Sequence, residues 1–253
     1  MIAIVSDIHN NREALETVLS AIAEVPGVEQ IVCLGDTVGY GPDPEWCVDR
    51  VRDATAIALL GNHEEALFRD AVDFNPYARR AIEVTRRRLR PGLLAGPEKR
   101  ERWRFLQGLR THTKQDRALF VHASPRDPLR EYVLATDGIL NPEKIESIFA
   151  CFDDIAFVGH THHPGIHFED GRFQSLEGAE RMKLPLPRGQ KFIVNVGSVG
   201  QPRDGDPRAC FALFDGDGVE WRRVPYDFRT TMEKIRSTPG LDELLARRLA
   251  VGR

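Results

Sequence analysis

The sequence predicts an α/β domain in which mixed sheets lie between layers of helix. Three observations carry this expectation. Short apolar, β-branched runs alternate with stretches of helical periodicity through the first two-thirds of the chain, the pattern of βαβ units. The last third changes to strands without intervening helices, which suits antiparallel pairing. The 253 residues, 42% hydrophobic and 29% charged, are enough to bury a full core without disulfide or metal support.

Each element has a local reason. Residues 2–6 form a strand that stops at a charged turn. Asn10 or Asn11 caps the helix after it, where Ala14, Leu15, Val18, Leu19 and Ile22 recur at helical spacing and Pro26-Gly27 ends the run. Residues 30–34 are the second strand, 44–52 a short helix opening on proline, and 56–60 the third strand. From about 63 to 109 the pattern is helical, broken at Asn75-Pro76 and Pro91-Gly92, and this stretch is a candidate cap over one end of the sheets. Residues 118–121 and 155–158 are strands, with a helix between them opened by Asn141-Pro142. Residues 165–168, 172–176, 191–196, 209–214 and 219–224 read as strands, the last two joined by the turn Asp215-Gly216-Asp217-Gly218. Helices over 230–237 and 241–249 follow. No linker, repeat or low-complexity tract divides residues 1–253, so a single domain is expected.

Composition excludes several classes. A formal net charge of −3 gives no whole-chain case for nucleic acid. No run of 18 uncharged apolar residues could span a membrane. The first residues read as a buried strand, not a signal peptide. Cys33, Cys47, Cys151 and Cys210 show no C-x-x-C spacing, which points to a reducing cytoplasm.

The polar residues of interest fall where strands stop. Asp7-Ile8-His9 follows the first strand, Gly35-Asp36-Thr37-Val38-Gly39 the second, Gly61-Asn62-His63-Glu64 the third, His122 the fourth and Gly159-His160-Thr161-His162 the fifth. Ligands in open α/β sheets bind beyond the carboxyl ends of the strands. Carboxylates, imidazoles and an amide gathered there can hold metal, and seven donors are too many for one tetrahedral site. They suit two ions sharing one carboxylate, for which Asp36 on a central strand is the natural bridge.

The segments SDIHNN (6–11), LGDTVGYGPDP (34–44), GNHE (61–64), VHASP (121–125), GHTHHP (159–164) and NVGSVGQPRDGDPRA (195–209) together resemble the calcineurin-like metallophosphoesterases, in particular small stand-alone prokaryotic members related to diadenosine tetraphosphatase. The resemblance implies a four-layer α/β/β/α sandwich with two mixed sheets. It also implies a di-metal centre, with Asp7, His9, Asp36 and His162 on one ion and Asp36, Asn62, His122 and His160 on the other. The ions could be manganese, iron, zinc, cobalt or nickel. His63 resembles the family's general acid, and Asn11 matches an asparagine near the substrate. The implied reaction is attack of a metal-bridging hydroxide on a small phosphodiester, a nucleotide phosphoanhydride or a phosphomonoester.

Protein phosphatases and symmetrical diadenosine tetraphosphatases carry an acid–arginine pair within the segment occupied here by residues 35–41, and this sequence has neither. That argues against a protein phosphatase and sends the search for a phosphate contact to Arg126 and Arg203. His163, His167 and His112 are expected outside the ligand set. Glu64 either orients His63 or serves as a first-turn helix charge. Arg79, Arg80, Arg86, Arg87, Arg88 and Arg90 would suit a phosphate backbone, but helical charge runs are mostly solvated, and nucleic acid is not the expected partner. Phe68, Phe74 and Tyr77 suit core packing better than base stacking. The expected partner is a small, nucleotide-like phosphorylated substrate, with oligomeric state open. Two other readings share the motifs: a catalytically silent metal-binding scaffold, and a metal-dependent nuclease.

Overall fold

The computed structural model describes residues 1–71, 74–176 and 178–253. Residues 72 and 73 of the expected helical stretch therefore lie outside the described residues. The chain opens with β1 (Ile2–Val5), α1 (Arg12–Ala23), β2 (Gln30–Cys33), α2 (Pro44–Ala54) and β3 (Ile57–Ala58). Three helices follow, α3 (Asn62–Phe68), α4 (Pro76–Leu89) and α5 (Pro97–Gln107), then β4 (His112–Gln115), β5 (Ala118–Val121), α6 (Asp137–Leu140), α7 (Pro142–Phe149) and β6 (Ile155–Val158). The remainder comprises β7 (Gly165–Phe168), β8 (Phe173–Ser175), β9 (Arg181–Pro185), β10 (Phe192–Asn195), β11 (Ala209–Phe214), β12 (Gly218–Val224), α8 (Phe228–Ser237) and α9 (Glu243–Val251).

The strands make two six-stranded mixed sheets, ordered β3-β2-β1-β11-β12-β9 and β4-β5-β6-β10-β7-β8. Parallel pairs β1–β2, β2–β3, β5–β6 and β6–β10 come from the βαβ part of the chain or return to it, and the remaining pairs, the β4–β5 hairpin among them, are antiparallel. Period-two alternation sorts the side chains into layers. Ile4, Val32, Ala212, Phe120, Phe157 and Val194 meet between the sheets, around the fully buried Trp221. Ala3, Val5, Cys33 and Phe211 turn the other way, onto Leu15, Val18 and Ile22 of α1 and Cys47 and Val51 of α2. Val121, Ala156, Val158 and Ile193 do the same against Ile145 and Ile148 of α7. The result is the expected α/β/β/α sandwich. Helices α4 and α5 pack on α2, and α3 on α4, in one cluster of Leu67, Ile82, Leu89, Leu106 and Val48.

Three elements were not expected from the sequence. β9 and β4 are edge strands, and neither offers an apolar run. Met182 and Leu184 of β9 face inward between Arg181, Lys183 and Pro185, the charged and proline-bearing design that keeps an edge from pairing further. His112, Thr113, Lys114 and Gln115 of β4 are held by main-chain pairing to β5. α6 is a four-residue turn locked by Asp137. β3 is shorter than expected, because beyond Ala58 only Leu59 continues, as an isolated bridge to Arg110. Asn11 caps α1 by accepting from Ala14 N, as its position suggested. Asn141 precedes α7 but spends its amide on Asp137 Oδ1 instead.

Candidate metal centre

The loops after β1, β2, β6 and β10 are laced together by main-chain hydrogen bonds. Asp7 N donates to Gly35 O (3.1 Å), His9 N to Asp36 O (2.9 Å) and Asn10 N to Thr37 O (2.9 Å). Val199 N donates to Ser6 O (3.0 Å), Gly200 N to Asp7 O (2.9 Å), and His160 N to Asp7 Oδ2 (3.0 Å). Asp7, His9, Asp36, His160 and His162 all hold left-handed backbone, with φ between 51° and 64°. Aspartate and histidine tolerate this region better than most residues, yet each costs about 1 kcal/mol or more, and such strain collects at functional sites. Two glycines make room. A β-carbon on Gly61 would stand 2.1 Å from Asp36 Oδ1, and one on Gly39 (φ 101°) 2.2 Å from His63 Nδ1.

The side chains interlock as three buried groups, Asp7–His9–His162, His9–Asp36–His63 and Asp36–His122–His160, each with its donor atoms within 4.8 Å of one another. Their geometry identifies the lone pairs. His9 Nδ1 donates to Val38 O (3.0 Å) and His162 Nδ1 to Gln201 O (2.5 Å). In a neutral ring the other nitrogen is then bare. Yet the two Nε2 atoms face each other at 3.2 Å, and Asp7 Oδ1 lies 3.3 Å from one of them. Bare lone pairs in such contact call for a cation. His160 Nε2 donates to Arg130 O (3.3 Å), which leaves Nδ1 for a ligand. His122 Nε2 converges on Asn62 Oδ1 (3.1 Å) and Asp36 Oδ2 (3.4 Å). Metal-binding imidazoles are commonly held by a carbonyl on their other ring nitrogen, and the mixed oxygen and nitrogen set fits a transition-metal ion.

Electrostatics prepares the same state. Burial alone would raise Asp7 and Asp36, but His162 and His122 beside Asp7, and His122, His63 and His9 beside Asp36, hold both well below the usual carboxylate range. Burial pushes His9 well down, His63 down to about 4 and His160 to about 3; the other imidazoles add to this. His162 is lowered by burial and by Arg203. Burial opposes charge on His122 too, but Asp36 outweighs it and raises the ring to about 9. Ionised carboxylates and mostly neutral imidazoles are the protonation state metal binding requires.

Glu64 has a role the sequence left open. Its buried carboxylate accepts from Asp36 N (2.8 Å), Val38 N (2.9 Å) and Gly61 N (2.9 Å), stapling the β2 and β3 loops together. Above the donors is a cleft of about 210 Å³, lined by Asp36, Asn62, His63, His160 and His162 and, towards its rim, Tyr40, Arg69, Phe74, Arg130, Tyr132 and Arg203.

Of the substrate contacts expected from the sequence, Arg203 lines this cleft. It donates to Gln201 Oε1 (2.8 Å) and Tyr40 Oη (3.4 Å) rather than pairing with Asp204, which holds Arg223. Arg126 does not line it, and instead binds Glu131 and Ser147 Oγ. Asn11 is turned away, between Ala14 N, Gly200 O and Tyr226 Oη. His163 and His112 are exposed, and His167 is buried against Phe173. Tyr40 carries its ring 4.6 Å from that of His9 and 4.7 Å from that of His63. Its place between two glycines of a strand-end loop was a readable signal; Arg130 and Tyr132 sit in a loop that had none.

A two-sheet sandwich with buried aspartates and histidines converging at its strand ends defines a metal-binding α/β protein. The chain belongs to the calcineurin-like phosphoesterase superfamily, whose domain matches residues 1–218. It is 37% identical over 262 residues to the uncharacterized protein MJ0912 of Methanocaldococcus jannaschii, covering 100% of this chain and 98% of that one. It is similar in structure to a metallophosphoesterase from Sphaerobacter thermophilus, with a TM-score of 0.83, 35% identity, and coverage of 100% and 99%. It shares the fold of the hypothetical protein PH1004 from Pyrococcus horikoshii OT3 (TM-score 0.76, 18% identity, coverage 100% and 99%). Family and donor geometry together make it a metal-dependent phosphoesterase. No helix among the described residues is long and apolar enough to cross a membrane.

Proposed function

We propose that the protein hydrolyses a small phosphodiester, phosphoanhydride or phosphomonoester at a two-metal centre. The observation that carries this is the facing pair of bare Nε2 atoms on His9 and His162 beside ionised Asp7, under an open cleft. Asp7, His9, Asp36 and His162 would hold one ion and Asp36, Asn62, His122 and His160 the other, with manganese, iron, zinc, cobalt and nickel all suited to the set. Bound metal would supply an activated water near neutral pH and offset charge on the phosphoryl oxygens.

The chain's own groups supply the rest. Arg203 reaches the cleft with its guanidinium oriented by Gln201 and Tyr40, the arrangement of a phosphate contact. His63 Nε2 lies 3.9 Å from Asp36 Oδ2 and holds the proton for the leaving oxygen. The negative charge of a bound phosphoryl group opposes the burial that keeps this ring neutral. The cleft, about 210 Å³ and open at its rim, suits a phosphoryl group with a compact substituent beside it. In a dinucleoside polyphosphate the second nucleoside would stay outside.

A long nucleic-acid strand fits poorly. Arg86 donates to the carbonyls of Ala66, Leu67 and Arg69, Arg79 to those of Ala71 and Phe74, and Arg88 binds Glu45. Half of the expected basic stripe is thus used inside the fold. The four cysteines are free, which suits the reducing cytoplasm we propose as its location.

The test is a substrate panel on metal-depleted protein, with Mn²⁺ and then other ions added singly. The panel holds nitrophenyl monoester and diester, diadenosine tetraphosphate, cyclic nucleotides, single-stranded DNA and a phosphopeptide. Turnover that needs metal and favours a small ester supports the reading. Fewer than two ions bound per chain, with no turnover of any substrate, would overturn it in favour of a silent scaffold.

A further inference from the structure

Tyr132 lies on the segment between β5 and α6, 46% exposed, and lines the cleft. Its ring centroid is 4.1 Å from that of His160, with the planes 36° apart. The main chain beneath it is held by an ion pair between buried Asp137 and part-exposed Lys144. Lys144 Nζ donates to Tyr132 O (2.6 Å) and to Asp137 Oδ2 (2.6 Å). Asp137, itself buried, accepts from Leu134 N (2.7 Å) and Asn141 Nδ2 (2.9 Å). Val133, between the two, is buried against Ile145 and Ile148. Upstream, Arg130 is tied to Glu65 of α3, and its carbonyl receives His160 Nε2 (3.3 Å).

This network converges on the main chain of residues 130–134, the stretch that carries the ring. What it secures is the orientation of one half-exposed aromatic ring beside a candidate metal ligand. Near Asp36 a second ring, Phe74, stands edge-on to His63 at 4.9 Å and lines the same cleft. Flat side chains immobilised beside a phosphoryl site form a stacking surface for a flat substituent.

We propose that Tyr132 determines leaving-group specificity. Its solvent-facing ring stacks on an aromatic group attached to the phosphorus, so that aryl-sized, π-bearing phosphoesters are preferred over alkyl ones. The inference rests on the phosphoesterase reading, but its central contact is measurable without turnover. Manganese-loaded wild type, Tyr132→Phe and Tyr132→Leu would be titrated calorimetrically with phenylphosphonate and with methylphosphonate, which share a head group and are not hydrolysed. Wild type and Tyr132→Phe should bind the phenyl compound roughly tenfold tighter, within the range of an aromatic stack. Tyr132→Leu keeps apolar cover over His160 but removes the π face. It should bring the two affinities within about twofold of each other and leave that for methylphosphonate unchanged.

The proposal is overturned if the preference survives in Tyr132→Leu, if wild type shows none, or if both ligands weaken equally, since the ring would then only prop His160. Phenyl phosphate and methyl phosphate turnover is read in parallel. Wild type that binds as expected yet hydrolyses neither these esters nor any diester or anhydride of the panel refutes the phosphoesterase reading and leaves the stacking assignment standing.

Discussion

Glu64→Gln is a nearly isosteric change with a large expected effect. In the wild type Oε2 accepts from both Asp36 N and Gly61 N, and Oε1 accepts from Val38 N. A glutamine has one oxygen. Placed at the Oε2 position, it sets its NH₂ against Val38 N–H; placed at Oε1, it sets NH₂ against two donors. At least one buried N–H is orphaned and one amide donor faces it. Each such group costs about 1–3 kcal/mol, so the loss should be about 2–6 kcal/mol. For a chain of this size a kilocalorie moves Tm by roughly 2–4 °C, which puts the fall near 10 °C. Asp36 also loses a grip on its left-handed main chain, so its carboxylate shifts and metal affinity should fall at least tenfold. Thermal unfolding of metal-depleted protein, with Mn²⁺ titrations at a temperature where both forms are folded, checks both parts. A Tm within about 2 °C of wild type would refute the staple. A stability loss with unchanged metal affinity would refute its link to Asp36.

The other expectations are simpler. Saturating the donors should raise Tm: at a hundredfold excess over Kd a single site stabilises by about 2.7 kcal/mol, so Mn²⁺ should add several degrees and a chelator should remove them. Arg203→Ala should raise KM for an anionic ester by about tenfold or more, whereas Arg126→Ala, whose partners are Glu131 and Ser147, should leave steady-state kinetics within twofold. In Asp137, burial raises the carboxyl pKa, but Lys144, Leu134 N–H and Asn141 outweigh it and hold it below 3.8. A depressed folded-state value contributes stability that is complete above the unfolded value and lost as pH falls through the folded one. Asp137→Asn should therefore destabilise by about 1–2 kcal/mol at pH 7 and flatten the acid limb of the unfolding curve below about pH 4. A thiol reagent should modify only Cys151 in the folded protein, because Cys33, Cys47 and Cys210 are buried, which holds Cys33 and Cys210 near 12 and Cys47 well above its ordinary value.

Much of the sandwich was legible because central strands are apolar on both faces. Ile2–Val5, Ala118–Val121 and Ile155–Val158 have few soluble alternatives to a doubly covered sheet. The edge strands β4 and β9 were not legible, since an edge held by main-chain bonds to one neighbour needs no apolar signature. The donors were legible for a different reason: the D-x-H, G-D, G-N-H and G-H-T-H steps each sit where an apolar run stops. The residues that shape the cleft left no such trace. Arg130 and Tyr132 follow no strand, and what places them is the contact of their segment with Glu65, Lys144 and Asp137. Arg126 was the misleading case. It is closer to His122 in sequence than Arg130 is, but Glu131 draws it outward.

The arrangement of the centre also explains why its motif residues are so closely spaced. Asp7 and His9 can reach one point, and His160 and His162 two neighbouring ones, only if the chain turns within two residues, and left-handed backbone at both members of each pair achieves this. In an ordinary strand successive odd positions would share a face but stand several ångströms apart along it. The turn therefore trades backbone energy for convergence, about 1 kcal/mol or more at each of the five positions. Glu64, the interlaced main chain of the β1 and β2 loops and the rigid sandwich beneath must over-determine the geometry. Loosening any one of them should release the strain and disperse the donors. The centre should thus fail through its supports before its ligands, so that Glu64→Gln lowers metal affinity although Glu64 holds no ion.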